Sequence, residues 1–160
     1  MPNVLIVYFS HGGNTRKMAE ALSASVQEGG CQVTLKKVNE ATLDDLRAAD
    51  GLLLGSPCYF GDMAAPIKQF IDESIQLFGK GELVGKAAGA FASTGGIGGG
   101  GELTILSMLH GLLIHGMVVQ GLRKGGHFGP LAIGEPDQRV NDECAAYGTQ
   151  FAALVKRLAA

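Results

Sequence analysis

Six consecutive residues carry the clearest chemical signal in the sequence: Ser10, His11, Gly12, Gly13, Asn14 and Thr15. They separate an apolar run from a segment with helical spacing, so a strand is expected to pass through a tight loop into a helix. The first backbone N–H groups of a helix lack partners, and the peptide dipoles concentrate positive potential there. The glycines add backbone freedom, and the hydroxyl and amide groups add donors. The loop therefore predicts a phosphate site; the alternative is an ordinary glycine turn with Thr15 as the helix cap.

Two common phosphate loops are excluded by spacing. The sequence contains no G-x-x-x-x-G-K-[ST] motif, and no G-x-G-x-x-G motif follows Phe9. The loop instead resembles the flavodoxin fingerprint [ST]-x-[ST]-G-x-T, which binds the monophosphate of flavin mononucleotide (FMN). Gly12 stands where that fingerprint usually has a hydroxyl residue.

Two later loops carry groups that suit a planar ligand. The first contains Pro57, Cys58, Tyr59, Phe60 and Gly61, and its aromatic side chains can flank a ring or pack on the next helix. Cys58 has no obvious basic partner and is interpreted as a small loop residue. The second loop is rich in glycine, which predicts close approach of its backbone to a ligand. It comprises Ser93, Thr94, Gly95, Gly96, Ile97, Gly98 and Gly99 and continues to Gly101.

The elements that position these loops alternate between strand and helix. Buried strands are predicted at 4–9, 31–38, 51–55 and 86–93, with a fifth at 117–120 that resumes at 131–133. Helices are predicted from Thr15, from a cap at Thr42, from near Asp62, from Glu102 to near His115, and after Asp137. This alternation predicts one α/β domain over residues 1–160 with a flavodoxin-like, doubly wound, five-stranded parallel sheet in the order 2-1-3-4-5 and helices on both faces.

Composition narrows the functional classes. A net charge of −2 with scattered Lys and Arg gives no reason to expect nucleic acid binding. Three widely spaced cysteines, without a C-x-x-C motif, indicate neither a disulfide framework nor a metal site. The uncharged segment 103–122 is long enough to span a bilayer, but its histidines and glycines favour a buried helix followed by a strand. Without a leader-like N-terminus, the protein is expected to be cytoplasmic and not inserted in a membrane.

Five segments in order resemble the WrbA-type FMN-dependent NAD(P)H:quinone oxidoreductases of the flavodoxin superfamily: SHGGNT, GSPCYFGDMAAPIKQFID, FASTGGIGGGGELT, HGMVVQGL and GGHFGP. The resemblance implies FMN with its phosphate at residues 10–15 and its ring beside 57–61 and 93–99. It also implies His115 near the ring, as a candidate catalytic group, and a substrate pocket formed by Tyr59, Phe60 and Phe128.

The same resemblance implies NAD(P)H as co-substrate, a quinone-like acceptor and a possible homo-oligomer, either dimer or tetramer. The segment 38–50 is shorter than in many WrbA-type enzymes, which carry an insertion there that helps to build the tetramer. A histidine that ends an apolar helix is otherwise commonly a capping or core residue, and this interpretation of His115 stays open.

A flavodoxin-type one-electron carrier is the main alternative function, and a flavin-binding regulatory or scaffold protein is a weaker one. Carriers of that type are usually strongly acidic, and a net charge of −2 gives little support to that role.

Overall fold

A parallel β-sheet forms the central layer of the protein, and the computed structural model describes all residues from 1 to 160. Its strands are β1 (Asn3–Tyr8), β2 (Gln32–Lys37), β3 (Gly51–Tyr59), β4 (Asp62–Met63), β5 (Ala87–Thr94), β6 (Val118–Val119) and β7 (Leu131–Ile133). The helices are α1 (Asn14–Glu28), α2 (Leu43–Ala48), α3 (Ala65–Glu73), α4 (Ile75–Phe78), α5 (Gly101–Ile114) and α6 (Gln138–Leu158).

The strand order confirms the predicted topology. The main path through the sheet is β2-β1-β3-β5-β6, and β7 also pairs in parallel with β5. Since β6 and β7 both lie against β5, they together occupy the position predicted for one interrupted fifth strand. The predicted order 2-1-3-4-5 is therefore the observed one, with β5 as the fourth strand.

The side chains of β1 alternate between two cores, one on each face of the sheet. Val4 and Ile6 are fully buried in the core beneath α1 and α6, while Leu5 and Val7 are fully buried in the core beneath α3 and α5. This burial on both faces explains why the strand reads as an unbroken apolar run. Parallel strands with right-handed crossovers place the loops after β1, β3 and β5 at one edge of the sheet.

The segment after β3 differs from its prediction. A helix was expected to open near Asp62, but Asp62 and Met63 form β4, which pairs in antiparallel fashion with Cys58 and Tyr59 at the end of β3. The prediction was wrong because the sharp reversal between Tyr59 and Asp62 was not recognised as a hairpin turn. Helix α3 begins only at Ala65, with a proline in its first turn, and Ser74 separates it from α4.

The uncharged segment 103–122 divides as the sequence predicted. Helix α5 ends at Ile114, His115 caps it, and β6 follows after Gly116. No helix of the protein combines the length and apolar character that a membrane crossing requires.

Candidate functional site

The loops after β1, β3 and β5 meet in a cleft of about 190 Å³ at the carboxyl edge of the sheet. Such edges are where open α/β sheets bind ligands. Eleven residues line the cleft, all of them in the predicted set: Ser10, His11, Gly12, Asn14, Thr15, Pro57, Cys58, Tyr59, Ser93, Thr94 and Gly95.

The first loop has the backbone geometry of an anion site. Gly13 has a φ of 99°, a left-handed conformation that disfavours any residue with a Cβ, and its N–H donates to Ser10 Oγ at 3.1 Å. Helix α1 begins immediately afterwards and carries no acidic residue in its first turn. None of the backbone N–H groups of residues 11, 12 and 14–16 donates to another atom of the protein. These donors are available to an anion.

Thr15 does not cap helix α1, so the alternative interpretation of this loop as a capped turn is wrong. Gly13 occupies the cap position, and no side chain makes a capping hydrogen bond. The hydroxyl of Thr15 instead lies 2.8 Å from that of Ser93, and both residues are buried. Because one hydroxyl donates to the other, one hydroxyl hydrogen of the pair stays free to meet a ligand. This bond connects the first and third loops of the cleft.

The hairpin between β3 and β4 forms the second wall. Phe60 and Gly61 occupy its tip with φ angles of 52° and 78°, the signature of a type I′ turn. Phe60 is the one residue other than glycine with a positive φ, and its large apolar side chain is fully exposed. Tyr59 packs edge-on against Phe9, with the ring centroids 6.3 Å apart. Strain and exposure of this kind concentrate at functional sites.

The glycine-rich loop plays two roles. Gly95, Gly96 and Gly98 face open space, and the backbone N–H groups of residues 95–98 have no partner in the protein, which fits close approach to a ligand. Gly100 instead packs closely on the hairpin. A Cβ at this position would lie only 2.7 Å from the Cα of Gly61, so the contact requires glycine. The Sγ of Cys58 donates to the carbonyl of Gly99 at 2.9 Å. The loop is thus fixed to the hairpin at one end and open at the other.

The cleft lacks charged side chains of Asp, Glu, Lys and Arg. An anion in it would be held by backbone N–H groups, hydroxyls and the positive end of α1. The groups of the cleft that can exchange a proton with a ligand are the imidazole of His11, the thiol of Cys58 and the phenol of Tyr59, since no carboxyl or ammonium group lines it.

His115, which the resemblance places near the ring, does not line this cleft. Helix α5 starts beside the cleft and runs away from it for 14 residues, about 21 Å, so its C-terminal cap is distant. His115 is buried there, with Nε2 2.7 Å from Ser74 Oγ. Ser74 Oγ donates to the carbonyl of Ile71 at 2.5 Å, so the ring donates to the hydroxyl. Desolvation lowers the pKa of His115 and favours its neutral form.

Other predicted positions also lie outside the cleft lining. Phe128 lines a separate cavity with Glu102, Arg139 and Glu143, so the structure does not bring it together with Tyr59. Gly13, Phe60 and Gly61 belong to the loops that frame the cleft, as do Gly96, Ile97, Gly98 and Gly99, but none of them is part of its wall. The bond between Thr15 and Ser93 has no signal in the sequence, since nothing in the spacing of two hydroxyl residues 78 positions apart indicates it.

Comparison with known proteins gives one family. The family described as NADPH-dependent FMN reductase matches residues 36–123. A protein of Aquifex aeolicus named flavodoxin is 37% identical over 97% of this chain and 88% of its own length. A protein of Geobacter sulfurreducens named NAD(P)H dehydrogenase (quinone) is 39% identical over 75% of this chain and 71% of its own length.

A solved structure shares the fold. The flavodoxin, WrbA-like protein from Agrobacterium tumefaciens superposes with a TM-score of 0.86 over 98% of this chain and 99% of that one, at 24% identity. With the family match over more than half of the sequence and with both relatives, this chain belongs to the NADPH-dependent FMN reductase family and has the flavodoxin-like fold.

Proposed function

We propose that the protein is an FMN-dependent oxidoreductase that transfers two electrons from NAD(P)H to a quinone-like acceptor. The observation that carries the proposal is the row of unpartnered N–H groups at the start of α1, in a loop with a left-handed glycine. That arrangement fits a terminal phosphate, which FMN has and riboflavin lacks.

The residues present fit FMN in the manner expected from the sequence. Residues 10–15 would hold the phosphate, and the loops 57–61 and 93–99 would lie beside the ring. The free N–H groups of residues 95–98 offer donors for the polar edge of a flavin, and Tyr59 offers an aromatic surface. When bound, FMN supplies the redox chemistry, and the protein binds and orients the reactants.

The overall reaction balances without a catalytic side chain. NAD(P)H gives up a hydride and becomes NAD(P)⁺, and the quinone gains two electrons and two protons to become a hydroquinone. The second proton comes from water, either directly or through the imidazole of His11, which lines the cleft. The reaction consumes NAD(P)H, so we place it in the cytoplasm.

A flavodoxin-type one-electron carrier is the second candidate, because the Aquifex relative with that name aligns with nearly the whole chain. The weak net charge of −2 and the quinone-dehydrogenase relatives favour the enzyme.

The proposal treats residues 1–160 as one FMN-binding domain. It includes assembly into a dimer or tetramer, for which exposed apolar side chains such as Val84 and Leu103 are available.

The test compares FMN with riboflavin in binding to the apoprotein, followed by oxidation of NADH and NADPH with benzoquinone present. We expect much tighter binding of FMN and quinone-dependent oxidation of at least one nicotinamide. Equal affinities for FMN and riboflavin would remove the phosphate argument. FMN binding without oxidation of NADH or NADPH would favour the carrier.

A further inference from the structure

A second cavity, of about 490 Å³, lies between the helix pair α3–α4 and helix α5. This size is within the usual range of about 300–1,000 Å³ for small-molecule sites. Its apolar lining consists of Met63, Ile71, Ile75, Phe78 and Ile114. Ile75 and Ile114 are largely exposed, so these walls form an open groove that presents apolar surface to solvent.

The groove lies directly beside the cofactor cleft. Cys58 and Tyr59 on β3 line the cleft, and their pairing partners on β4, Met63 and Asp62, line the groove. Paired strands are about 5 Å apart. A ligand with one end in the cleft therefore has to cross only this two-stranded ribbon to reach the groove.

The charges in the groove argue for an uncharged occupant. Lys68 forms an ion pair with Asp72 at 2.6 Å, and Asp62 adds a further negative charge. The pyrophosphate of a dinucleotide would meet a net negative wall with its one lysine already paired. At the far end, His115 is hydrogen-bonded to Ser74 and favours its neutral form. Aliphatic chain suits these walls better than phosphate.

We infer that the groove between α3 and α5 holds the aliphatic tail of a lipophilic quinone whose ring is reduced at the cofactor cleft. The inference rests on the proposed function, which it deepens by naming the acceptor class: quinones that carry an alkyl or prenyl tail. The tail leaves water for the apolar walls, and the short path over the hairpin lets ring and tail bind together.

The test uses one quinone ring with and without a tail. The FMN-loaded protein is assayed with decylubiquinone and with the same dimethoxy-methyl-benzoquinone ring lacking the decyl chain. Ile114→Glu places a charge on the groove wall at a position that is 72% exposed, so the fold should tolerate it. Leu113→Glu is the matched control, since Leu113 is the preceding residue of α5, is 54% exposed and does not line the groove.

We expect Ile114→Glu to raise the KM for decylubiquinone about tenfold, because a charged group opposes burial of the tail. Its KM for the tailless ring should stay within about twofold of the wild type, and Leu113→Glu should leave both values there. Decanol, a tail without a ring, should compete with decylubiquinone in the wild type and lose that effect in Ile114→Glu.

Two results would overturn the inference while leaving the proposed function intact. One is an unchanged KM for decylubiquinone in Ile114→Glu. The other is a fall in molar mass in that variant alone, which would show that a second copy of the chain covers the groove. Failure of the wild type to reduce either quinone would refute the proposed function and, with it, this inference.

Discussion

At the scale of single residues, Gly13 is the position in the loops of the cleft where the backbone conformation most clearly requires glycine. Its φ of 99° strains any other residue, although open space surrounds it. Gly13→Ala should destabilise the apoprotein by about 1–2 kcal/mol and weaken FMN binding much more than riboflavin binding. Urea unfolding and ligand titration measure the two effects.

The matched control for this change is Gly85→Ala. Gly85 also has a positive φ, 78°, and open surroundings, but it precedes β5 and so lies at the edge of the sheet opposite the cleft. It should show a similar loss of stability with normal FMN affinity. If both variants lost FMN equally, the effect would be general strain and not the loss of an anion site.

The bond between Thr15 and Ser93 links two of the three loops. Thr15→Val keeps the side-chain shape but leaves the Ser93 hydroxyl buried without this partner, so the free energy of unfolding should fall by about 1–2 kcal/mol. Ser93→Ala should have a comparable effect. The double variant should lose about 1 kcal/mol less of unfolding free energy than the sum of the losses in the two single variants. Strict additivity in urea unfolding would contradict a direct bond.

His115 should make the stability of the protein depend on pH. Burial lowers its pKa in the folded state, so between that value and the ordinary value of about 6.5 the unfolded chain binds more protons. The stabilisation that neutral, buried His115 provides is therefore complete above the ordinary pKa. It is lost as the pH falls toward the lower pKa of the folded protein. His115→Gln should flatten the decline of unfolding free energy in this window. An unchanged slope would show that other groups cause the decline.

At the scale of elements, the hairpin between β3 and β4 combines strain with exposure. Phe60→Asn would place Asn-Gly in the turn, the preferred pair for this geometry, and should raise the stability of the apoprotein by about 0.5–1 kcal/mol. Because the fully exposed Phe60 buries nothing within the chain, little packing is lost. We expect altered quinone kinetics and near-normal FMN affinity. Unchanged turnover with several quinones would make Phe60 a purely structural residue.

The sequence predicted those elements whose pattern is local. The buried run of β1, the cap of α2 by Thr42, and the interrupted last strand at β6 and β7 all formed as expected. The hairpin was missed because Phe is an uncommon choice at a left-handed position. His115 lies outside the cleft lining because it caps the end of α5, and residue types alone do not reveal the direction of that helix.

At the scale of the whole molecule, helix α5 connects two sites. Its N-terminal end follows the glycine-rich loop of the cleft, and its C-terminal half forms a wall of the apolar groove. The hairpin separates the two sites with only two strands. The molecule therefore offers a polar cleft for a phosphate-bearing cofactor and an adjoining apolar surface for the partner that reacts with it.

The most direct test of the account is anaerobic stopped-flow mixing of the FMN-loaded protein with NADH or NADPH, and then with benzoquinone. The account predicts complete bleaching of the flavin absorbance by at least one nicotinamide and rapid recovery with an equivalent amount of benzoquinone. A flavin that dithionite reduces, but that neither nicotinamide bleaches, would contradict the account and favour a carrier.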